Sequence, residues 1–158
     1  DLALANLPLV DAEDVETVEC MPVHDVFVVS EKFAHLGGRR LDPQEIAACP
    51  LVMLERLSNS RRYVDEFFLQ SGVRLEPEIE LGAHDLLLEF AAIGLGAACV
   101  IREFAQSFIT SGRLFELEPA LPIPPRAVGL CTLRGMTPSF AAERFIAGIP
   151  VKQDSVEA

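Results

Sequence analysis

No stretch of this sequence approaches the roughly 20 consecutive apolar residues that a bilayer-spanning helix needs, although 50% of its 158 residues are hydrophobic. The apolar content is spread along the chain, which excludes a membrane helix and supports a folded core. Basic residues are few: 13 Lys and Arg stand against 24 Asp and Glu, a formal charge of −11. They are also scattered. Phosphate recognition needs clustered cations, so any contact with DNA must lie elsewhere than in this sequence. The four cysteines, Cys20, Cys49, Cys99 and Cys131, have no CxxC spacing and sit in apolar surroundings. They read as buried reduced thiols, which favours the cytoplasm over a secreted origin. There is no signal peptide, which decides little, because a trimmed chain would lack one. The chain opens on DLALANLP, which reads as the last strand of something already under way and suggests a fragment.

Several chemical signatures are missing too. His24, His35 and His84 are far apart, and no His, Cys or carboxylate pair has ligand spacing on a helix face, so no metal is expected. No cofactor motif is found either: Ile93-Gly94-Leu95-Gly96 follows a helix and precedes a strand, the reverse of a phosphate loop's context. No GxSxG elbow accompanies the His84-Asp85 pair, so catalysis by His84 with Ser58, Ser60 or Cys99 has no supporting motif. There are no repeats and no low-complexity tracts.

What is present is a succession of short apolar strands and amphipathic helices. Leu2 to Ala5 reads as a strand ending at the Asn6-Leu7-Pro8 turn, with an acidic loop from Asp11 to Glu16 after it. Val15 to Val23 alternates loosely, and Val26 to Val29 is a strand buried on both faces. Asp42, Pro43 and Glu45 spell a capped helix start. Leu51 to Leu54 is the next buried strand, followed by a helix from Asn59 that buries Val64, Phe67, Phe68 and Ser71 and ends at Gly72. Its Arg61–Asp65 and Arg62–Glu66 spacings predict i,i+4 pairs on the exposed side. A strand at 78–81, a helix at 85–93 apolar nearly all round, a strand at 97–101, a helix through Phe104 and Phe108 and a strand at 114–117 follow. The β, α alternation from residue 51 indicates an open α/β sheet with parallel-type strands. After a Pro-rich connector, a strand at 127–133 leads to a helix starting at Thr137-Pro138 and packing Ala141, Phe145 and Ile149. The tail after Val151 is polar and expected to fray.

Ligands in such sheets sit at the C-terminal ends of strands, against helix N-termini. Two junctions carry polar residues there: Ser58-Asn59-Ser60-Arg61 and Gly82-Ala83-His84-Asp85. Both also read as helix caps, worth about 1 kcal/mol for a good cap residue, with Asp85 the cap of the second and His84 exposed beside it. One cap needs one residue, not three.

The segments SNSRRYVDEFF, PEIELGAHDLLLEFAAIGLGAACVIREF and PPRAVGLCTLRG, with the terminal amphipathic helix, resemble the effector-binding domain of LysR-type transcriptional regulators. The resemblance covers essentially the whole chain, and Leu86 to Val100 is its most specific part. It implies an α/β fold like the type 2 periplasmic binding proteins, two-lobed with two crossover strands, Val26 to Val29 and Ala127 to Leu133, and a small molecule between the lobes. Residues 31–125 would be lobe II and 1–30 with 126–150 lobe I, which looks incomplete. The same resemblance implies an effector contacted by Asn6, Leu7, Ser58, Asn59, Ser60, Arg61, Gly82, Ala83, His84 and Asp85, with no catalytic residue. It also implies a homodimer or tetramer, and DNA binding only through an N-terminal winged helix-turn-helix that this sequence does not contain. Arg102 departs from the family pattern, in which proline is common at that point. Because the chain's own charge repels anions, an anionic effector would depend on the local donors at Ser58 to Ser60. An extracytoplasmic solute-binding protein of the same fold, or a small hydrolase using His84, are the rival readings.

Overall fold

The computed structural model describes residues 2–9 and 12–149; the expectations for Asp11 and for the tail after Val151 fall outside them. Contacts divide the chain into two units, Asp1–Val23 with Pro125–Ala158, and His24–Pro124.

The first unit is built on three antiparallel strands, β1 (Leu2–Asn6), β2 (Val15–Val23) and β10 (Arg126–Leu133), in the order β1-β10-β2. Leu4 pairs with Leu130, which pairs with Val18 on the other side. A register shift between Val128 and Gly129 bends β10. The glycine there is needed for close packing: a Cβ on Gly129 would lie 2.4 Å from Leu7 Cδ1. The last helix, α5 (Phe140–Gly148), starts later than Thr137-Pro138, because Ser139 supplies the cap and its Oγ accepts from Ala142 N–H at 3.3 Å. The shift changes its inner face. Ala142 is buried, whereas Ala141 and Phe145, expected to pack, are exposed.

The second unit contains β3 (Asp25–Val29), β4 (Arg40–Leu41), α1 (Pro43–Ala47), β5 (Leu51–Leu54), α2 (Asn59–Gln70), β6 (Ile79–Leu81), α3 (His84–Ala92), β7 (Ala97–Ile101), α4 (Arg102–Thr110), β8 (Phe115–Glu116) and β9 (Glu118–Pro119). Its main sheet has the order β6-β5-β7-β3-β8, and β4 pairs with β9 apart from it. β5 lies parallel to β6 and β7, while β3 is antiparallel to both β7 and β8. Every strand after residue 51 in this sheet therefore runs one way, and β3 alone is reversed.

The reversed strand β3 lies within the second unit, which begins at His24. All five residues of β3 are buried because it pairs on both sides and packs on both faces. Phe27 and Val29 join a core with Met53, Val64, Phe68 and Cys99; Val26 and Val28 join another with Val52, Leu87, Ala91 and Ala105. Fully apolar strands such as LVML and AACVI are what a sheet covered on both faces requires. Within the first core, Phe27 and Phe68 meet edge to face at 5.6 Å.

Local chemistry explains the joints. Asp42 N–H donates to Glu45 Oε2 at 2.9 Å, closing the start of α1. Helix α3 is one-sided rather than buried all round: Leu87, Leu88 and Ala91 are inside, but Leu86 and Glu89 are exposed. Its exit is the GLG motif. Gly94 has φ of +80°, and the Lys32 stem crosses it while Lys32 Nζ donates to Ile93 O at 2.9 Å. Gly96 carries the tighter constraint, since a Cβ there would lie 2.2 Å from Pro50 O. Cys20, Cys99 and Cys131 are buried, Cys49 is half-buried, and none of the four is in a disulfide.

Candidate functional site

β5 and β6 end side by side, with Leu54 opposite Leu81 and Glu55 N–H donating to Leu81 O at 3.0 Å. This pairing brings both predicted junctions, 58–61 and 82–85, to one edge of the second unit's sheet. Ser58 is the N-cap of α2, in extended backbone, but its side chain makes no capping bond. Asn59 is exposed and Ser60 is buried. At the second junction Ala83, not Asp85, occupies the N-cap, and Asp85 lies in the first turn, where its charge suits the helix dipole. Gly82, Ala83 and Asp85 are exposed. His84, expected to be exposed, is half-buried because its ring packs edge-on against Phe104, with centroids 5.3 Å apart.

Between the junctions lies a cavity of about 10 Å³, lined by Asp25, Met53, Leu54, Ser60, Arg61, His84 and Cys99. It is about the size of one water. Asp25, 6% exposed, is the residue the sequence reading missed. Because β3 is antiparallel, its first residue pairs with Ile101 and so reaches the edge where β5 and β7 end. The available signal was an acidic residue placed directly ahead of the apolar run VFVV.

Arg61 is not on the solvent face predicted from its spacing. Its side chain is 2% exposed. Nη1 donates to Leu54 O at 2.9 Å and to Glu80 Oε1 at 3.3 Å, and Nε donates to Asp65 Oδ2 at 2.8 Å. The Asp65 pair exists as predicted, but it closes over a guanidinium turned inward to hold the end of β5. A buried cation needs such compensation. Arg56, 3.5 Å from Glu80, completes the charge cluster from outside.

Arg102 has a structural role at the start of α4. Its backbone N–H donates to His24 O at 2.8 Å, a bond proline could not make, and its guanidinium pairs with Glu116. Next to it, Glu103 accepts from His24 Nδ1 at 2.7 Å. Burial pushes the Glu103 carboxyl up, but hydrogen bonds from the His24 ring and from backbone N–H groups outweigh that and hold it below the usual range.

Asn6 and Leu7 belong to the first unit. Asn6 Oδ1 accepts from the buried Arg126 through Nη1 at 2.6 Å, and Leu7 N–H donates to Ala127 O at 2.8 Å. Both residues are half-buried. Among the described residues no group of three or more His, Cys, Asp or Glu could hold a metal ion, and no helix is long and apolar enough to cross a membrane.

Comparison with known families matches residues 1–149 to the LysR substrate binding domain. The chain belongs to that family. This LysR substrate-binding domain is 29% identical over 103 residues to the HTH-type transcriptional regulator YeiE of Escherichia coli (strain K12), covering 65% of the chain and 35% of YeiE. It is 26% identical over 102 residues to the HTH-type transcriptional regulator SsuR of Burkholderia cenocepacia, covering 63% of the chain and 32% of SsuR. The domain thus spans about a third of the length of the curated relatives it matches. Among solved structures it is similar to the CcmR regulatory domain of Synechocystis PCC6803 in complex with 2-PG, with a TM-score of 0.82, 18% identity, and 93% of this chain and 70% of that one covered. It is also similar to the effector binding domain of QuiR in complex with shikimate, with a TM-score of 0.78, 19% identity and coverage of 93% and 68%. These likenesses establish the α/β, type 2 periplasmic-binding-protein-like fold.

Proposed function

We propose that this LysR substrate-binding domain senses a small anionic metabolite at the edge of the sheet where β5, β6 and β7 end. The observation that carries the reading is the convergence there of two helix starts, α2 and α3, whose N-cap residues Ser58 and Ala83 contribute no capping side chain. The first backbone N–H groups of a helix have no partner within it, and the dipole adds to their preference for negative charge. Ser58, Asn59 and Ser60 would supply side-chain donors, with Gly82 and Ala83 allowing close approach. His84 and Asp85 would read a second group on the ligand, for which Asp85 suits a hydroxyl or an ammonium. Arg61 enters this reading through the backbone it holds. Asn6 and Leu7 are proposed contacts on the family resemblance alone.

The complexes of CcmR with 2-PG and of QuiR with shikimate support a small-molecule effector in this fold. The names of YeiE and SsuR support a regulator rather than a solute-binding protein or a hydrolase. In the whole protein, DNA binding by an N-terminal winged helix-turn-helix and assembly into a homodimer or tetramer in the cytoplasm complete the proposal. An effector can control such an assembly only by binding its alternative arrangements unequally. Calorimetry with a panel of metabolite anions tests the site: Asn59→Ala and Ser60→Ala should each weaken the best hit about tenfold, the value of a hydrogen bond to a charged group. Unchanged affinity in both variants would sink the assignment.

A further inference from the structure

Helix α2 ends in a Schellman motif: Gly72, with φ of +74°, donates its N–H to Leu69 O at 2.9 Å, and Val73 N–H donates to Phe68 O at 3.1 Å. The chain then leads to β6 with alternating burial, Val73 and Leu75 inside, Arg74 and Glu76 outside. On α2, Asp65, Glu66 and Leu69 have the i,i+3 and i,i+4 spacing that places them on one face. These two stretches line one cavity of about 510 Å³, within the range that small-molecule sites occupy, and Arg56 from the β5–α2 connection lines it too.

Three arginines, Arg56, Arg61 and Arg74, and three carboxylates, Asp65, Glu66 and Glu76, share this lining. Arg61 and Asp65 pair with each other at 2.8 Å, and Arg61 is further held by Leu54 O and Glu80. Arg56 lies 3.5 Å from Glu80. Among the described residues, Arg74, Glu66 and Glu76 are in no ion pair. Charges of both signs therefore line one cavity without neutralising each other, beside Leu69, which is 57% exposed, and the inner Leu75. A simple anion there meets the carboxylates, and a simple cation meets the arginines.

We propose that this cavity is an additional binding site, for a zwitterion with an apolar side chain: an α-amino acid of the leucine kind. Arg74 and Arg56 take its carboxylate, Glu66 and Glu76 take its ammonium, and Leu69 and Leu75 cover its side chain. A ligand that carries both charges gains charge-assisted hydrogen bonds from both sets of side chains, and it has no net charge for the acidic chain to repel. Arg61 stays committed to the end of β5 and lines both this cavity and the small one at the helix starts. The site is thus separate from the anion site proposed above and does not depend on it.

Titration calorimetry of the full chain with L-leucine tests the proposal, with 4-methylpentanoate and 3-methylbutylamine as competitors; these are leucine without its ammonium and without its carboxylate. Leucine is expected to bind, and each competitor to displace it about tenfold less well than unlabelled leucine displaces a labelled sample, the value of a hydrogen bond to a charged group. Arg74→Gln and Glu66→Gln should each weaken leucine about tenfold, and Leu69→Ala about threefold. All three side chains are exposed, and a thermal transition close to that of the parent confirms that each variant is folded. Failure of leucine to bind, displacement by either competitor as effective as by leucine, or an affinity that none of the three variants moves overturns the inference. None of these results touches Asn59 or Ser60, so the anion site stands or falls by its own titration.

Discussion

Arg61 Nη1 reaches back seven residues to donate to the carbonyl of Leu54 at 2.9 Å, so that the first turn of α2 is bolted to the end of the strand that precedes it. The same nitrogen reaches Glu80 on β6, and Nε reaches Asp65. One side chain thereby fixes the turn that presents Ser58, Asn59 and Ser60.

Removing that bolt exposes its cost. Arg61→Met leaves a strand-end carbonyl without its donor, Asp65 without the Arg61 charge, and Glu80 paired with Arg56 alone. The expected loss is about 3 kcal/mol, typical of deleting one partner of a buried ion pair. Chemical denaturation should show it, with Arg61→Lys intermediate, since lysine restores the charge but not the fork of donors.

The glycines separate two opposite outcomes. Gly96→Ala places a methyl group 2.2 Å from the Pro50 carbonyl oxygen, a backbone atom that cannot swing aside. It should destabilise by about 2 kcal/mol or more. Gly148, at the end of α5, has open space around it and no positive φ. Gly148→Ala should be stabilising by up to about 1 kcal/mol, through the unfolded chain and helix propensity. Thermal unfolding of the two variants should therefore move in opposite directions.

The Glu103–His24 pair sets a small acid dependence. A carboxyl held below its unfolded value adds stability at pH above that unfolded value, and the gain disappears as pH falls through the folded one. Because the Glu103 side chain is 42% exposed, the effect is screened to a few tenths of a kcal/mol. Glu103→Gln should cost that amount near neutrality, and the difference from the parent should close as the solution is taken below about pH 4. A constant difference across the range would contradict the pair's role.

The thiols should be slow to react. Burial raises the thiols of Cys49 and Cys131, helped at Cys49 by the Glu45 charge, so little thiolate is present at neutral pH. Alkylation of the native chain by iodoacetamide should label these two positions far more slowly than in denaturant, as peptide mass mapping would show. Equal rates in the two states would mean that the burial is wrong.

Much of the fold is written in local pattern. LVML and AACVI state by their unbroken apolar runs that both faces of their strands are covered, and Gly72 and Gly94 stop helices where φ must be positive. The polar triplet at Ser58 could be found because such residues before a helix invite either capping or binding. Pattern failed where a partner comes from far along the chain. The i,i+4 spacing of Arg61 and Asp65 predicts their pair but not its depth, because Leu54 and Glu80 draw the guanidinium inward. No local pattern places Asp25 at the site, because its position there depends on β3 running against its neighbours. In α5 the cap is Ser139, two residues beyond Thr137, and Ala142 rather than Ala141 lies on the inner face.

By itself, then, the sequence determined the order of the longer strands and helices but not the short β4–β9 pair, together with the covered sheet and the two polar helix starts, since these depend on periodicity, propensity and turn chemistry within a few residues. Only the tertiary structure decided that β3 is reversed within its sheet, that Arg61 is an internal anchor, and that Asp25, Ser60, His84 and Cys99 share one cavity wall. Those facts depend on strand direction and long-range pairing, in which residues far apart in the chain satisfy each other's charges and hydrogen bonds.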